Sequence, residues 1–195
     1  MIRLIPEKVI LQILRDCMYG LQCLHSQSIV HRDIKPQNLF LREGRVKIGD
    51  LGVAATFTAS TSQQTCSGTV QYMAPEMIKG EPYAFSADIW SLGCVAYEMM
   101  WRKPLFNKGS YSELVTQIIE QTNPVVVSFP GIYSQKLCKI VLSMLNVSKD
   151  ARPCDDEILS VIQVGILIQY HSRATMICYE DMKNGCFLNG HSNLL

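Results

Sequence analysis

Four side chains in this 195-residue sequence have the types and spacing of a reacting centre: Asp33, Lys35, Asn38 and Asp50. A carboxylate can orient a hydroxyl and accept its proton, and an ammonium two residues further on can hold an anionic oxygen beside it. An amide oxygen and a second carboxylate are hard donors suited to Mg²⁺, a cation that takes few protein ligands and leaves its other positions to water and phosphate. The chemistry open to such a set is phosphoryl transfer to a hydroxyl. Taken singly, the same residues have plainer readings, Asp33 as a helix cap and Asp50, in Asp50-Leu51-Gly52, as a turn residue. Their joint spacing within and just beyond His31-Arg32-Asp33-Ile34-Lys35-Pro36-Gln37-Asn38 favours the site.

The elements that must position these residues are visible around them. Ile10, Ile13, Leu14, Cys17, Met18, Leu21 and Leu24 recur at three- and four-residue intervals, which predicts an amphipathic helix over Pro6 to His25 with proline in its first turn. Leu39-Phe40-Leu41, a turn at Arg42 to Arg45 and Val46-Lys47-Ile48 predict a short hairpin between the two polar stretches. From Thr56 to Thr69 the composition of Ser, Thr, Gln and Ala without periodicity reads as a surface loop. Ser86 to Met100 is apolar on nearly every face, as a helix buried all round should be. Further helices are expected near Ser112 to Gln121, Ser134 to Leu145 and Asp155 to Ile168.

Five ordered segments then give the chain a family resemblance. The His31 to Asn38 stretch resembles the protein kinase catalytic loop, and Asp50-Leu51-Gly52 the metal-binding loop. Gly68-Thr69-Val70-Gln71-Tyr72-Met73-Ala74-Pro75-Glu76 resembles the substrate-binding segment, Asp88-Ile89-Trp90-Ser91-Leu92-Gly93 the buried helix, and Asp150-Ala151-Arg152-Pro153 the stretch that carries the family's ion-pair arginine. Lys35 together with Gly68-Thr69 resembles the serine/threonine class. Ile48-Gly49-Asp50-Leu51-Gly52, Ala87 to Cys94 and Tyr133-Ser134 leading to Met144-Leu145-Asn146 are similar to NIMA-related kinases.

That resemblance implies a division of labour and a pair of cofactors, ATP and Mg²⁺. Asp33 would be the base and Lys35 the charge on the transferred phosphate, with Asn38 and Asp50 as the metal ligands. Thr69 would belong to the substrate segment, Asp88 would tie the catalytic loop's backbone, and Glu76 would pair with Arg152 in a buried ion pair. Thr65 falls where the family's activating phosphothreonine lies, with Arg32 as its phosphate partner and Thr61, Ser62 and Ser67 as further candidates. Val53 implies a lean toward threonine acceptors, and Gln37 implies no strong demand for arginine before the acceptor. His31 is assigned a structural role.

The resemblance covers part of a kinase domain. No Gly-x-Gly-x-x-Gly occurs, and Lys8 is the only lysine before the catalytic loop. The expected fold is therefore mainly α, a kinase-like carboxy-terminal lobe with a short β-hairpin at the cleft and the amino-terminal β lobe absent. Residues 1–160 would form this partial domain, and 161–195 a tail of unknown structure. The expected function is a serine/threonine protein kinase, weak or inactive as these residues alone. The alternative is a non-catalytic kinase fragment acting as an interaction or regulatory module.

Composition narrows the partners. There are 18 Lys+Arg against 17 Asp+Glu, a net charge of +1 without basic runs, so neither nucleic acid nor an anionic membrane surface is expected as a partner. Protein substrates with Ser/Thr acceptors are. Eight scattered cysteines with no Cys-x-x-Cys pair suggest reduced thiols in a cytoplasmic protein, with nuclear or cytoskeletal association open. At 48% hydrophobic and 18% charged, against about 25% charged in an average domain, the chain is short of polar surface. An apolar cleft face covered by a partner would account for that.

Overall fold

The periodic apolar residues of the first helix close onto one face. A computed structural model of the chain describes residues 3–56, 69–107, 109–121 and 127–171, and in it α1 (Glu7–Ser26) buries Val9, Ile10, Leu14, Cys17, Met18 and Leu21. Pro6 precedes it, its carbonyl accepting from the Val9 and Ile10 amides. Proline suits this position because its missing N–H would have had no helical partner.

The helix expected to be buried all round, α3 (Ser86–Trp101), has thirteen of its sixteen residues buried, which makes it the axis of the core. It packs on α1 and on α5 (Gln135–Met144), while α1 also packs on α6 (Asp155–His171). Trp90 and Phe106 stack at 6.0 Å in this core. Gly93 lets α5 approach closely, since a Cβ there would lie 3.1 Å from Leu145 and Met144 side-chain atoms.

Two small elements complete the framework, α2 (Pro75–Ile78) and α4 (Tyr111–Ile119). Ser110 and Glu113 form a reciprocal capping box at the start of α4. Ser134 caps α5 by accepting from the Leu137 amide, and its own amide and hydroxyl donate to Glu7, tying the starts of α5 and α1 together.

Four short strands accompany the helices. β2 (Leu39–Arg42) and β3 (Arg45–Ile48) pair antiparallel with Leu39 opposite Ile48 and Arg42 opposite Arg45. Glu43 and Gly44 between them both take positive φ, 53° and 72°, as a two-residue hairpin turn of matching twist requires. β1 (Ile29–Val30) pairs with β4 (Ala55–Thr56) in a second sheet that the sequence did not suggest, because two residues carry no detectable alternation.

The mainly α lobe with a hairpin is borne out. The expected limit at residue 160 falls inside α6, which runs as helix from Asp155 to His171. Among the described residues, Cys17, Cys23, Cys94, Cys138 and Cys154 are free thiols. Burial pushes the Cys17 and Cys94 thiols well above the ordinary range, leaving them unreactive core residues. No described helix is long and apolar enough to cross a membrane.

Candidate active site

The loop from His31 to Asn38 is held from beneath by α3. Asp88, in the first turn of that helix and fully buried, accepts the His31 amide on Oδ2 and the Arg32 amide on Oδ1, both at 2.9 Å. Arg32 adopts φ 69°, a left-handed conformation costing roughly 1–2 kcal/mol in a non-glycine residue. Two charge-assisted hydrogen bonds to one carboxylate are sufficient to hold it there.

Asp88 is itself held. His25 at the end of α1 bonds Asp88 Oδ2 through Nε2 at 3.0 Å and Asp155 Oδ2 through Nδ1 at 2.8 Å. Its ring stacks on Phe85 at 4.6 Å. Burial alone would lower the imidazole's pKa, but hydrogen bonds to Asp155 and Asp88 and their charges outweigh it and push it up to about 9. His25 is therefore an imidazolium donating to two carboxylates near neutral pH.

The loop then brings together the residues expected to react. Lys35 Nζ lies 2.7 Å from Asp33 Oδ2 and donates to Thr69 Oγ1 at 3.1 Å. Asn38 Nδ2 donates to the Asp33 carbonyl at 2.8 Å and to its Oδ2 at 3.1 Å, and the Thr69 amide donates to Asp33 Oδ1 at 3.2 Å. The His31–Asn38 loop and the segment that begins at Thr69 thus meet on one carboxylate.

The hairpin places the second carboxylate. Its ladder continues into the Gly49 amide, which donates to the Asn38 carbonyl at 2.9 Å and sets Asp50 one residue beyond. Asp50 has φ 61° and its Oδ1 accepts the Gly52 amide at 3.3 Å. His31 Nδ1 accepts the Asp33 amide, so its Nε2 donates to the Gly49 carbonyl at 3.0 Å, a structural link between the two loops. Asp16 of α1 anchors the outer strand, accepting from the Val46 amide at 3.0 Å and from Arg45 Nε.

Mg²⁺ fits this donor set. Both Nδ2 hydrogen bonds of the buried Asn38 go to Asp33, which among the described residues leaves its Oδ1 as the oxygen free to serve as a ligand, and Asp50, just past the hairpin, is an exposed carboxylate. Among the described residues no three His, Cys, Asp or Glu side chains gather to hold a metal. Two protein oxygens completed by phosphate and water are what this cation ordinarily takes.

The remaining expected residues lie around this centre. Glu76 and Arg152 meet as a two-pronged buried pair at 2.6 and 2.8 Å, with Arg152 also donating to the Ser86, Asn146 and Val147 carbonyls. Arg32 donates to the Val53 carbonyl and, at 3.2 Å, to the Tyr83 hydroxyl. Thr65, with Thr61, Ser62, Ser67 and Cys66, lies outside the described residues. Tyr72 donates to Glu98 at 2.7 Å, and burial raises the Glu98 carboxyl's pKa although Tyr72 and Arg102 pull it down. Leu51 is 53% exposed and Phe40, on the hairpin beside Gly49, 37%.

Sequence reasoning missed His25, Asp155 and Asp16. A histidine and an aspartate on the apolar stripe of α1 were the available signals for two of them. Asp155 had none, because acids in a helix's first turn are ordinary.

A carboxylate, a lysine two residues on and a hairpin that follows one oxygen donor and leads to another, with their loop anchored to a buried helix, form the arrangement of a protein kinase lobe. The protein kinase domain family matches residues 2–162, and the chain belongs to that family. It is 36% identical over 182 residues to the probable serine/threonine-protein kinase nek2 of Dictyostelium discoideum, covering 91% of this chain and 42% of that protein. Nek11 of Macaca fascicularis is 33% identical over 189 residues (94% and 29%), and Nek4 of Mus musculus 37% over 159 residues (80% and 20%). The resemblance to NIMA-related serine/threonine kinases is thus borne out, and the chain spans less than half the length of each of these relatives.

Proposed function

We propose that this chain is the substrate- and metal-binding half of a serine/threonine protein kinase that transfers the γ-phosphoryl group of ATP to a protein hydroxyl. The observation that carries this reading is the convergence on Asp33 of Lys35 Nζ, Asn38 Nδ2 and the Thr69 amide. Asp33 orients the acceptor Ser or Thr hydroxyl and takes its proton as the oxygen attacks phosphorus and the bond to the leaving ADP oxygen breaks. Lys35, beside that carboxylate, faces the charge on the moving group, and Thr69 carries the substrate segment to the same point. Asn38 and Asp50 would hold Mg²⁺, which would supply neutralisation of phosphate charge. Glu76 with Arg152, and Asp88 with Arg32, keep these parts in register. Thr65 is the proposed activating phosphosite, and a partner surface is proposed to cover Leu51 and Phe40.

The residues present include no glycine-rich loop, so the 195-residue chain is expected to bind MgATP weakly and turn over slowly. Thermal stability measured against nucleotide tests the reading, since a ligand that binds the folded state raises its midpoint by mass action. Millimolar MgATP should raise the midpoint, ATP with excess EDTA should not, and Asp50→Asn should remove the shift. Asp33→Asn should keep the shift and lose phosphotransfer to a Ser/Thr-containing acceptor protein. A shift unaffected by Asp50→Asn and Asn38→Ala overturns the metal assignment, and no shift at any MgATP concentration favours a non-catalytic interaction module.

A further inference from the structure

We propose that Asp155 is a positioning residue for the catalytic loop, acting through His25 on the Asp88 carboxylate that holds the loop's backbone. The contacts form an unbroken series: Asp155 Oδ2 to His25 Nδ1 at 2.8 Å, His25 Nε2 to Asp88 Oδ2 at 3.0 Å, then Asp88 to the His31 and Arg32 amides at 2.9 Å. Three elements far apart in sequence, α6, α1 and α3, each contribute one member. The His25 and Asp88 side chains are 5% and 0% exposed and Asp155 18%, so the series runs through the interior with only its outer end near solvent.

The ordinary reading of an acid in a helix's first turn is interaction with the helix's own free amides. Its neighbours divide that work differently. Glu157 accepts the Cys154 amide at 2.9 Å, which caps α6, and Asp156 accepts from Gln22 at 2.8 Å on the exposed face. Asp155 alone of the three is turned to an imidazole already committed to Asp88. The charged groups acting on that ring are Asp88 from α3 and Asp155 from α6, with Phe85 stacked against it.

The physical consequence is a shared proton inventory. Asp88 Oδ2 receives both the His25 ring N–H and the His31 amide, so a change in the charge or orientation of the imidazole changes the acceptor seen by the loop. Asp155 fixes both, because an acceptor on Nδ1 keeps the ring doubly protonated and aimed. Seating of α6 against α1 is thereby communicated to the residues flanking Asp33. The proposal rests on the kinase reading only for what the loop does, and the contacts can be followed without turnover.

NMR on the full chain provides the test. In the unsubstituted protein, the His31 and Arg32 amide resonances should titrate with the same midpoint as the His25 ring. Asp155→Asn should lower that midpoint by about one pH unit or more and carry both amide transitions with it, whereas Asp156→Asn should leave ring and amides unchanged. Amides that do not follow the His25 titration in the unsubstituted chain overturn the proposal without any variant. So does a midpoint that Asp155→Asn leaves in place, or an Asp156→Asn effect equal to it. A failed kinase assignment would leave all of these measurements intact.

Discussion

The two terminal nitrogens of the Arg152 guanidinium meet the two oxygens of the Glu76 carboxylate at 2.6 and 2.8 Å across 76 residues of sequence, with both side chains out of solvent. The guanidinium also lies 5.0 Å over the Trp90 ring. Its N–H groups are thus used by carboxylate and carbonyls and one face by aromatic surface, and Glu76, at the end of the Gly68–Glu76 stretch, is joined to the chain ahead of α6.

A buried pair of this kind is costly to break from one side, because the surviving charge stays desolvated. Arg152→Met and Glu76→Gln are each expected to destabilise the fold by about 3–5 kcal/mol in urea denaturation. The double variant should lose less than the sum. Strictly additive losses would show that the two side chains are not energetically coupled.

A second anchor lies behind the hairpin. Asp16 takes the Val46 amide and both contacts of Arg45 Nε, so it fixes β3 and, through the Gly49 to Asn38 bond, the height of Asp50 relative to Asn38. Asp16→Ala should cost about 1–3 kcal/mol by leaving a backbone amide without its acceptor. It should also speed hydrogen exchange of the Val46 amide more than that of residues in α3. Equal acceleration everywhere would point to global loosening.

These two anchors mark what the sequence disclosed and what it did not. Helices α1 and α3 were legible because burial imposes a 3.6-residue period on one and apolarity on all faces of the other, and Asp33, Lys35, Asn38 and Asp50 stood out as candidates because the chemistry proposed for them restricts residue type as well as spacing. Glu76 and Arg152 were legible only through resemblance. The Asp16, His25 and Asp155 contacts were not, since each depends on which helices become neighbours, and nothing local separates Asp155 from Asp156. The β1–β4 pair escaped for the same reason, being two residues long and dictated by the loops it joins.

Asn38 invites a substitution that separates its two tasks. Its amide nitrogen donates twice to Asp33, so Asn38→Asp turns a donor into an acceptor facing a carboxylate at 3.1 Å. Without divalent cation this variant should lose roughly 1–3 kcal/mol. With millimolar Mg²⁺ it should regain more stability than the unsubstituted protein gains, because it offers two carboxylates where there was one. Equal responses to Mg²⁺ would place the cation away from Asn38.

His25 makes the fold's stability depend on pH in a direction opposite to that of a paired carboxylate. In the unfolded chain the imidazole titrates near 6.5, and in the folded protein Asp155 and Asp88 hold it at about 9 against the opposing effect of burial. Its contribution is therefore complete below about pH 6.5 and is lost as the pH rises through about 9. A rise of this size corresponds to on the order of 3 kcal/mol. Urea midpoints compared at pH 6 and pH 9.5 should fall more for the unsubstituted chain than for His25→Gln, which has no proton to lose and should show only the background slope from other groups. Parallel slopes would mean that the ring is uncharged in the folded state and that its two carboxylate contacts are those of a neutral imidazole.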